Sequence, residues 1–273
     1  MRASSWPFLC LIAPKLDACR LAGLLLLVAS GISLGGCSTQ PQLRAGNGRI
    51  KSFSAAKKHI YKIYDTHRRT FYCACAYLQR RVDHSSCGYR IRKNTKRAKR
   101  TEIEHIVPAH AFGQSFEAWR SGDAGCRDKN GKEFRGRRCV RKVSSLFRLM
   151  ESDLYNLQPV IGEVNADRSN YSMAMIDGES RAYGACDVEV AERKIEPRPE
   201  VRGDIARTYF YMDWAYPGRG IISSRRRKLF EAWDRADPVS EWEYKRIQAI
   251  RRVQGNRNPF VGKVGTSTTR PDN

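Results

Sequence analysis

Cysteine placement constrains this chain more than any other feature. Of nine cysteines, six fall in the middle of the sequence, at 73, 75, 87, 126, 139 and 186, and Cys10, Cys19 and Cys37 stand near its start. The first segment reads as a removable export signal. Arg2, Lys15 and Arg20 precede an apolar run from Leu21 to Leu34 that is too short and too glycine-rich to span a bilayer comfortably. An exported chain meets an oxidising compartment, where an even set of cysteines implies three disulfides, with fifteen connectivities open. The close spacing of Cys126 and Cys139 predicts a local loop. Cys73, Cys75, Cys87 and Cys186 are expected to tie the first third of the chain to its middle. Zinc is the rival reading of Cys73-Ala-Cys75, but metal hooks usually leave two or more residues between cysteines and no second close pair follows.

The leader ends Leu34-Gly-Gly-Cys37-Ser38, similar to a bacterial lipoprotein cleavage box. Residues 1–36 are therefore expected to be removed, with Cys37 lipidated and 37–50 forming a polar tether to the membrane. An ordinary export signal that happens to end near a cysteine is the alternative. The chain carries a formal charge of +22, and Arg2, Lys15 and Arg20 against Asp17 leave nearly all of it on the mature protein. Such a balance points to an anionic partner, nucleic acid first. Its densest stretch is Arg90 to Arg100.

Apolar spacing predicts helices over 52–65, Ile205–Trp214, Arg225–Trp233 and Ser240–Val253. Thr70–Tyr77 and Thr101–Val107 read as strands, residues 114–150 as a basic insertion stapled by Cys126 and Cys139, and 262–273 as a disordered tail. The sum is an α+β class, one disulfide-stapled mixed domain over 51–261, expected as a monomer.

Chemistry concentrates in Thr101-Glu-Ile-Glu-His105, which Pro108 stops, and in Asn165, placed within the run Asp153–Asn170 where a helix should begin. Hydrolysing a phosphodiester requires a deprotonated water, charge relief on phosphate and a stabilised leaving oxygen. A hard cation such as Mg²⁺ takes oxygen ligands and keeps several waters, so Glu104 and one amide oxygen would suffice to hold it. His105 would be the general base. Strand neighbours point to opposite faces, so Glu104 is expected to hold metal on one side and His105 to address water on the other. Acyl-transfer and zincin motifs are absent: there is no Gly-x-Ser-x-Gly, His-Glu-x-x-His or His-x-x-Glu-His.

Several ordered motifs sharpen this reading. Thr70-Phe-Tyr-Cys-Ala-Cys75, Ser86-Cys-Gly-Tyr-Arg90, Glu104-His-Ile-Val-Pro-Ala109, Met150-Glu-Ser-Asp-Leu-Tyr-Asn-Leu-Gln-Pro159, Gly162-Glu-Val-Asn-Ala-Asp-Arg-Ser-Asn170, Ile205–Met212 and Val253–Phe260 together resemble the bacterial endonuclease I family of exported, non-specific DNA and RNA nucleases. The resemblance implies a ββα-metal (His-Me finger-like) motif around one divalent cation. It makes His105 the general base and Glu104 and Asn165 the metal ligands, and gives Asn156 a bracing role. It also places an arginine of the insertion near the scissile phosphate, without choosing among Arg135, Arg137 and Arg138. Glu163 and Asp167 are further candidate ligands but are read as helix-surface or hydrogen-bonding groups, Arg168 as an ion-pair partner and His110 as structural. The family often carries a fourth cysteine pair near the C-terminus. Here the corresponding run is Trp242-Glu-Tyr244 and no cysteine follows Cys186, which puts C-terminal stability in doubt. The competing class is a non-catalytic nucleic-acid-binding lipoprotein, which would not need Glu104, His105 and Asn165 together.

Overall fold

The computed structural model describes residues 46–178 and 180–268. The leader, Cys37, most of the tether and residues 269–273 lie outside the described residues. Ser52 accepts a hydrogen bond from the Ala55 amide and so starts α1, Phe53–Ile63, whose spacing buries Ala56 and Ile60. The expected strand over 70–77 shrinks to β1, Tyr77–Leu78, paired with β2, Arg81–Val82. Before it the chain turns instead of extending. Ala74 takes a φ of 54°, and the Thr70 amide bonds the Cys75 carbonyl at 2.9 Å. The turn sends the two neighbouring cysteines to different partners, Cys73 to Cys186 and Cys75 to Cys87.

After α2, Thr95–Ala98, comes β3, Thr101–His105. The insertion is more structured than its composition suggested. It holds α4, Glu117–Arg120, α5, Arg137–Val143, and α6, Ser145–Glu151, and follows α3, Ala109–Gly113. Phe112, Phe116 and Trp119 pack around Phe147 with ring centroids 5.6–5.9 Å apart, and the expected Cys126–Cys139 bridge closes beside them. β4, Leu157–Ile161, then pairs antiparallel with β3 and leads straight into α7, Gly162–Arg168. β5, Ser172–Met173, β6, Val188–Ala191, and β7, Lys194–Pro197, form a small sheet in the order β5-β7-β6.

The C-terminal helices are α8, Arg202–Ala215, α9, Ser224–Ala236, and α10, Glu241–Gln254. α8 is buried nearly all round and is the core's spine, with Tyr209 stacked on Phe230 at 4.3 Å. Its Arg207, fully buried, donates to Glu243 at 2.8 and 2.7 Å and to Asp234 at 2.7 Å. A buried guanidinium whose donors are satisfied by carboxylates fixes α9 and α10 on α8. The tail departs from the expected disorder at its start. Val239 donates to Thr266, Gly265 to Val239 and Thr268 to Asp234, so residues 262–268 dock on the α9–α10 junction. Main-chain bonds hold this segment where its polar composition offers no apolar anchor.

Candidate active site

β3, β4 and α7 build the site from a short stretch of backbone. The register puts Glu104 opposite Gln158 and His105 opposite Leu157. Gly162 makes the sharp passage from β4 into α7, its amide bonded to the Arg100 carbonyl at 2.9 Å. A Cβ at this position would come within 2.7 Å of the Arg97 carbonyl. At the far end of α7, Arg168 (1 % exposed) clips the helix back onto the strand. It donates to Glu104 Oε1 at 2.6 Å, to the His105 carbonyl at 2.8 Å and to the Ile106 carbonyl at 2.7 Å. One planar fork thus fixes helix, carboxylate and strand end together.

Glu104, His105, Asn165 and Arg137 all line one open cleft of about 1000 Å³. Glu104 turns to Arg168 and Tyr72, His105 to Phe53 and the Glu151 carbonyl, and the one cleft is lined by both. Glu104 accepts from Arg168 and, at 3.3 Å, from the Tyr72 hydroxyl, yet its Oε2 is buried without a hydrogen-bond partner. Burial lifts this carboxyl to about 7 against the pull of Arg168. Asn165 donates its amide N–H to Glu102 at 2.9 Å, which leaves its oxygen as the atom to offer a ligand. Glu102 is in turn bracketed by Arg97 and Arg100. A carboxylate oxygen and an amide oxygen are hard donors, so the residues present fit Mg²⁺ with water completing its shell. The thiolate alternative fails, because all six described cysteines are joined in disulfides.

His105 is held for one task. Its Nε2–H donates to the Glu151 carbonyl at 2.8 Å, which leaves Nδ1 as the acceptor. The ring packs against Phe53, centroids 4.7 Å apart. Burial, with the Arg137 charge adding to it, lowers His105 to about 4, so the ring is neutral near pH 7. Asn156 braces the loop that follows. Its Oδ1 accepts from the Val107 amide at 2.7 Å and its Nδ2 donates to the Val107 carbonyl at 3.0 Å.

Of the three candidate arginines, only Arg137 lines the cleft. Arg135 turns to the Arg120 carbonyl, and Arg138 lies over Phe134, 4.1 Å from its centroid. Arg137 is aimed by the buried Glu151 carboxylate, which accepts its Nε at 2.6 Å and also binds Arg141 at 2.7 and 2.5 Å. Glu163 is occupied by the Tyr89 hydroxyl and the amides of Arg92, Lys93 and Asn94, and Asp167 by Tyr183 and Lys93. His110, expected to be structural, is exposed at the cleft's rim.

Two working residues escaped the sequence reading. Glu102 was legible in principle, since on a strand it shares a face with Glu104. Glu151 works through a backbone carbonyl and a bridge to the insertion, neither of which has a sequence signature.

The family model described as Endonuclease I matches residues 46–264. An extracellular deoxyribonuclease of Aeromonas hydrophila is 42% identical over 221 residues, covering 78% of this chain and 90% of that protein. A periplasmic deoxyribonuclease of the same species is 41% identical over 220 residues, 78% and 86% of the two chains. Endonuclease-1 of Buchnera aphidicola subsp. Acyrthosiphon pisum (strain APS) is 39% identical over 220 residues, 78% and 82%.

Proposed function

Because this chain belongs to the endonuclease I family, we propose that it is an exported nuclease whose His105 activates water against DNA, and RNA, phosphodiesters without sequence preference. The observation that carries the reading is the meeting, in one cleft, of a neutral imidazole with a fixed tautomer, a buried partnerless carboxylate oxygen and an amide oxygen. His105 takes the proton at Nδ1, and the Glu151 carbonyl holds the ring in place as charge develops on it. Arg137 sits beside the base to meet the phosphate, its guanidinium kept in position by Glu151. Glu104 and Asn165 would hold one divalent cation, most simply Mg²⁺. When bound, it supplies charge relief on the phosphate and the leaving oxygen. Arg168 keeps Glu104 ionisable despite its burial.

The test is plasmid nicking by the mature protein with and without EDTA, beside His105→Ala. Cutting that EDTA and the substitution both abolish is expected. A protein that retards DNA and never cuts it would instead be the binding lipoprotein. Through Cys37 the mature protein is anchored to the envelope as a monomer, and release from membranes by Cys37→Ala is the check.

A further inference from the structure

The cations of the cleft fall into two sets. Arg97 and Arg100 are tied to Glu102, Arg168 to Glu104 and Arg137 to Glu151. Lys57, Lys58 and Arg80 line the same cleft, and among the described residues no carboxylate pairs with them. All three stand on the wall made by α1 and the β1–β2 hairpin. The tip of that hairpin is unusual. Its two-residue turn is Gln79–Arg80, with φ of 48° and 70°. Consecutive left-handed residues suit Asn-Gly and disfavour side chains with a full Cβ environment. Backbone held in such a conformation at a site's mouth is a reason to ask what its side chains do.

The hairpin is also stitched to the strand that carries Glu104 and His105. The Arg80 carbonyl accepts from the Thr101 amide at 2.8 Å, and Val82 donates to Lys99 at 3.1 Å. The Arg80 guanidinium lies over the Tyr61 ring, 5.5 Å from its centroid, and the Tyr61 hydroxyl reaches the Thr101 carbonyl at 3.3 Å. An unpaired cation is therefore seated on an aromatic ring and fixed relative to the catalytic strand. Thr101 and Glu104 are about 10 Å apart along an extended strand, which is too far for one group to serve both positions.

We infer that Arg80, seated on Tyr61 with Lys57 and Lys58 beside it, is a positioning wall for a backbone phosphate next to the scissile one. The inference rests on the nuclease reading. The ligand is the phosphodiester backbone of nucleic acid, contacted without regard to base.

The experiment uses the mature protein with His105→Ala, so that binding is not followed by cutting. The affinity for a short duplex oligonucleotide in Mg²⁺ is measured against salt, with Arg80 present and as Arg80→Gly. Loss of one phosphate contact should make the slope of log K on log salt shallower by about 0.9. The same substitution relieves the turn, so the melting temperature should rise by roughly 2–4 °C. Weaker binding joined to a more stable fold is an outcome that a merely structural arginine would not give. Arg80→Lys should keep the slope. An unchanged slope in Arg80→Gly, or lost binding together with a lower melting temperature, would overturn the inference. Failure of the wild-type protein to cut DNA would sink the nuclease reading separately, because the binding slope does not depend on cleavage.

Discussion

Replacing Arg168 with Met should loosen the whole site from its foundation. The guanidinium is 1 % exposed, and it satisfies Glu104, which is itself buried, along with two backbone carbonyls. Removing one partner of a buried ion pair typically costs about 3–5 kcal/mol, because the other charge is left unpaired in a poorly solvated place. For a domain of this size each kcal/mol lowers the melting temperature by about 2–4 °C, so a fall of roughly 6–20 °C follows. Arg97→Met is the matched control. Its pair with Glu102 is partly exposed and Arg100 stays behind, so under about 1 kcal/mol is expected. Arg168→Lys should recover part of the loss, since an ammonium can reach Glu104 but cannot fork to both carbonyls. Thermal melts of the three variants at pH 7, in EDTA to exclude metal stabilisation, decide the matter. If Arg168→Met melted within about 2 °C of wild type, the energetic account of the buried bridge would be wrong.

Three other outcomes are expected. In a Mg²⁺ titration of cleavage rate, His105→Ala should lose roughly 10²–10⁴ in kcat without rescue, whereas raised Mg²⁺ should partly restore Glu104→Ala and, more fully, Asn165→Ala; equal rescue of His105→Ala would reverse the assigned roles. Expression under reducing conditions should give little active protein, each native disulfide adding about 2–4 kcal/mol, and unchanged melting and activity in excess reductant would count against this. Burial opposes ionisation of Glu151, but the bonds from Arg141 and Arg137 outweigh it and hold the carboxyl below its ordinary range. Its contribution is therefore complete above the unfolded value of about 4.3 and lost as pH falls through the lower folded value. The stability gap between wild type and Glu151→Gln should then be wide at pH 7 and shrink toward pH 3, and a gap that stayed constant would refute the linkage.

The sequence was most legible where function and chain order coincide. Glu104 and His105 are neighbours on β3, and Asn165 sits in the helix that directly follows β4, so each half showed as a local pattern and the family resemblance joined the two across the insertion. The three C-terminal helices were equally plain, since apolar spacing such as Ile247 and Ile250 survives into the packed core. Reading failed where a residue's task depends on distant geometry. Arg135, Arg137 and Arg138 are equivalent in sequence, and only the setting of α5 against α6 gives Arg137 the cleft. In the basic run Arg90–Arg100, Arg92 and Lys93 pair with Asp167, and Arg97 and Arg100 with Glu102. Much of that charge is spent inside the protein, and formal charge along a sequence cannot show this. Thr70–Tyr77 had the composition of a strand, but its cysteines bridge in different directions and force a turn.

The Cys73–Cys186 bridge spans 113 positions, and every residue of β3, β4 and α7 lies between its ends. Tyr72, beside the first cysteine, is the residue that backs Glu104. A chain crossing a membrane from its N-terminus therefore delivers the proposed base and both proposed ligands before the thiol that ties down Tyr72 beside them. The covalent ring closes only after Cys186 has arrived and met an oxidant. Oxidation, which the compartment outside the cytosol supplies, is thus what closes the ring around β3, β4 and α7.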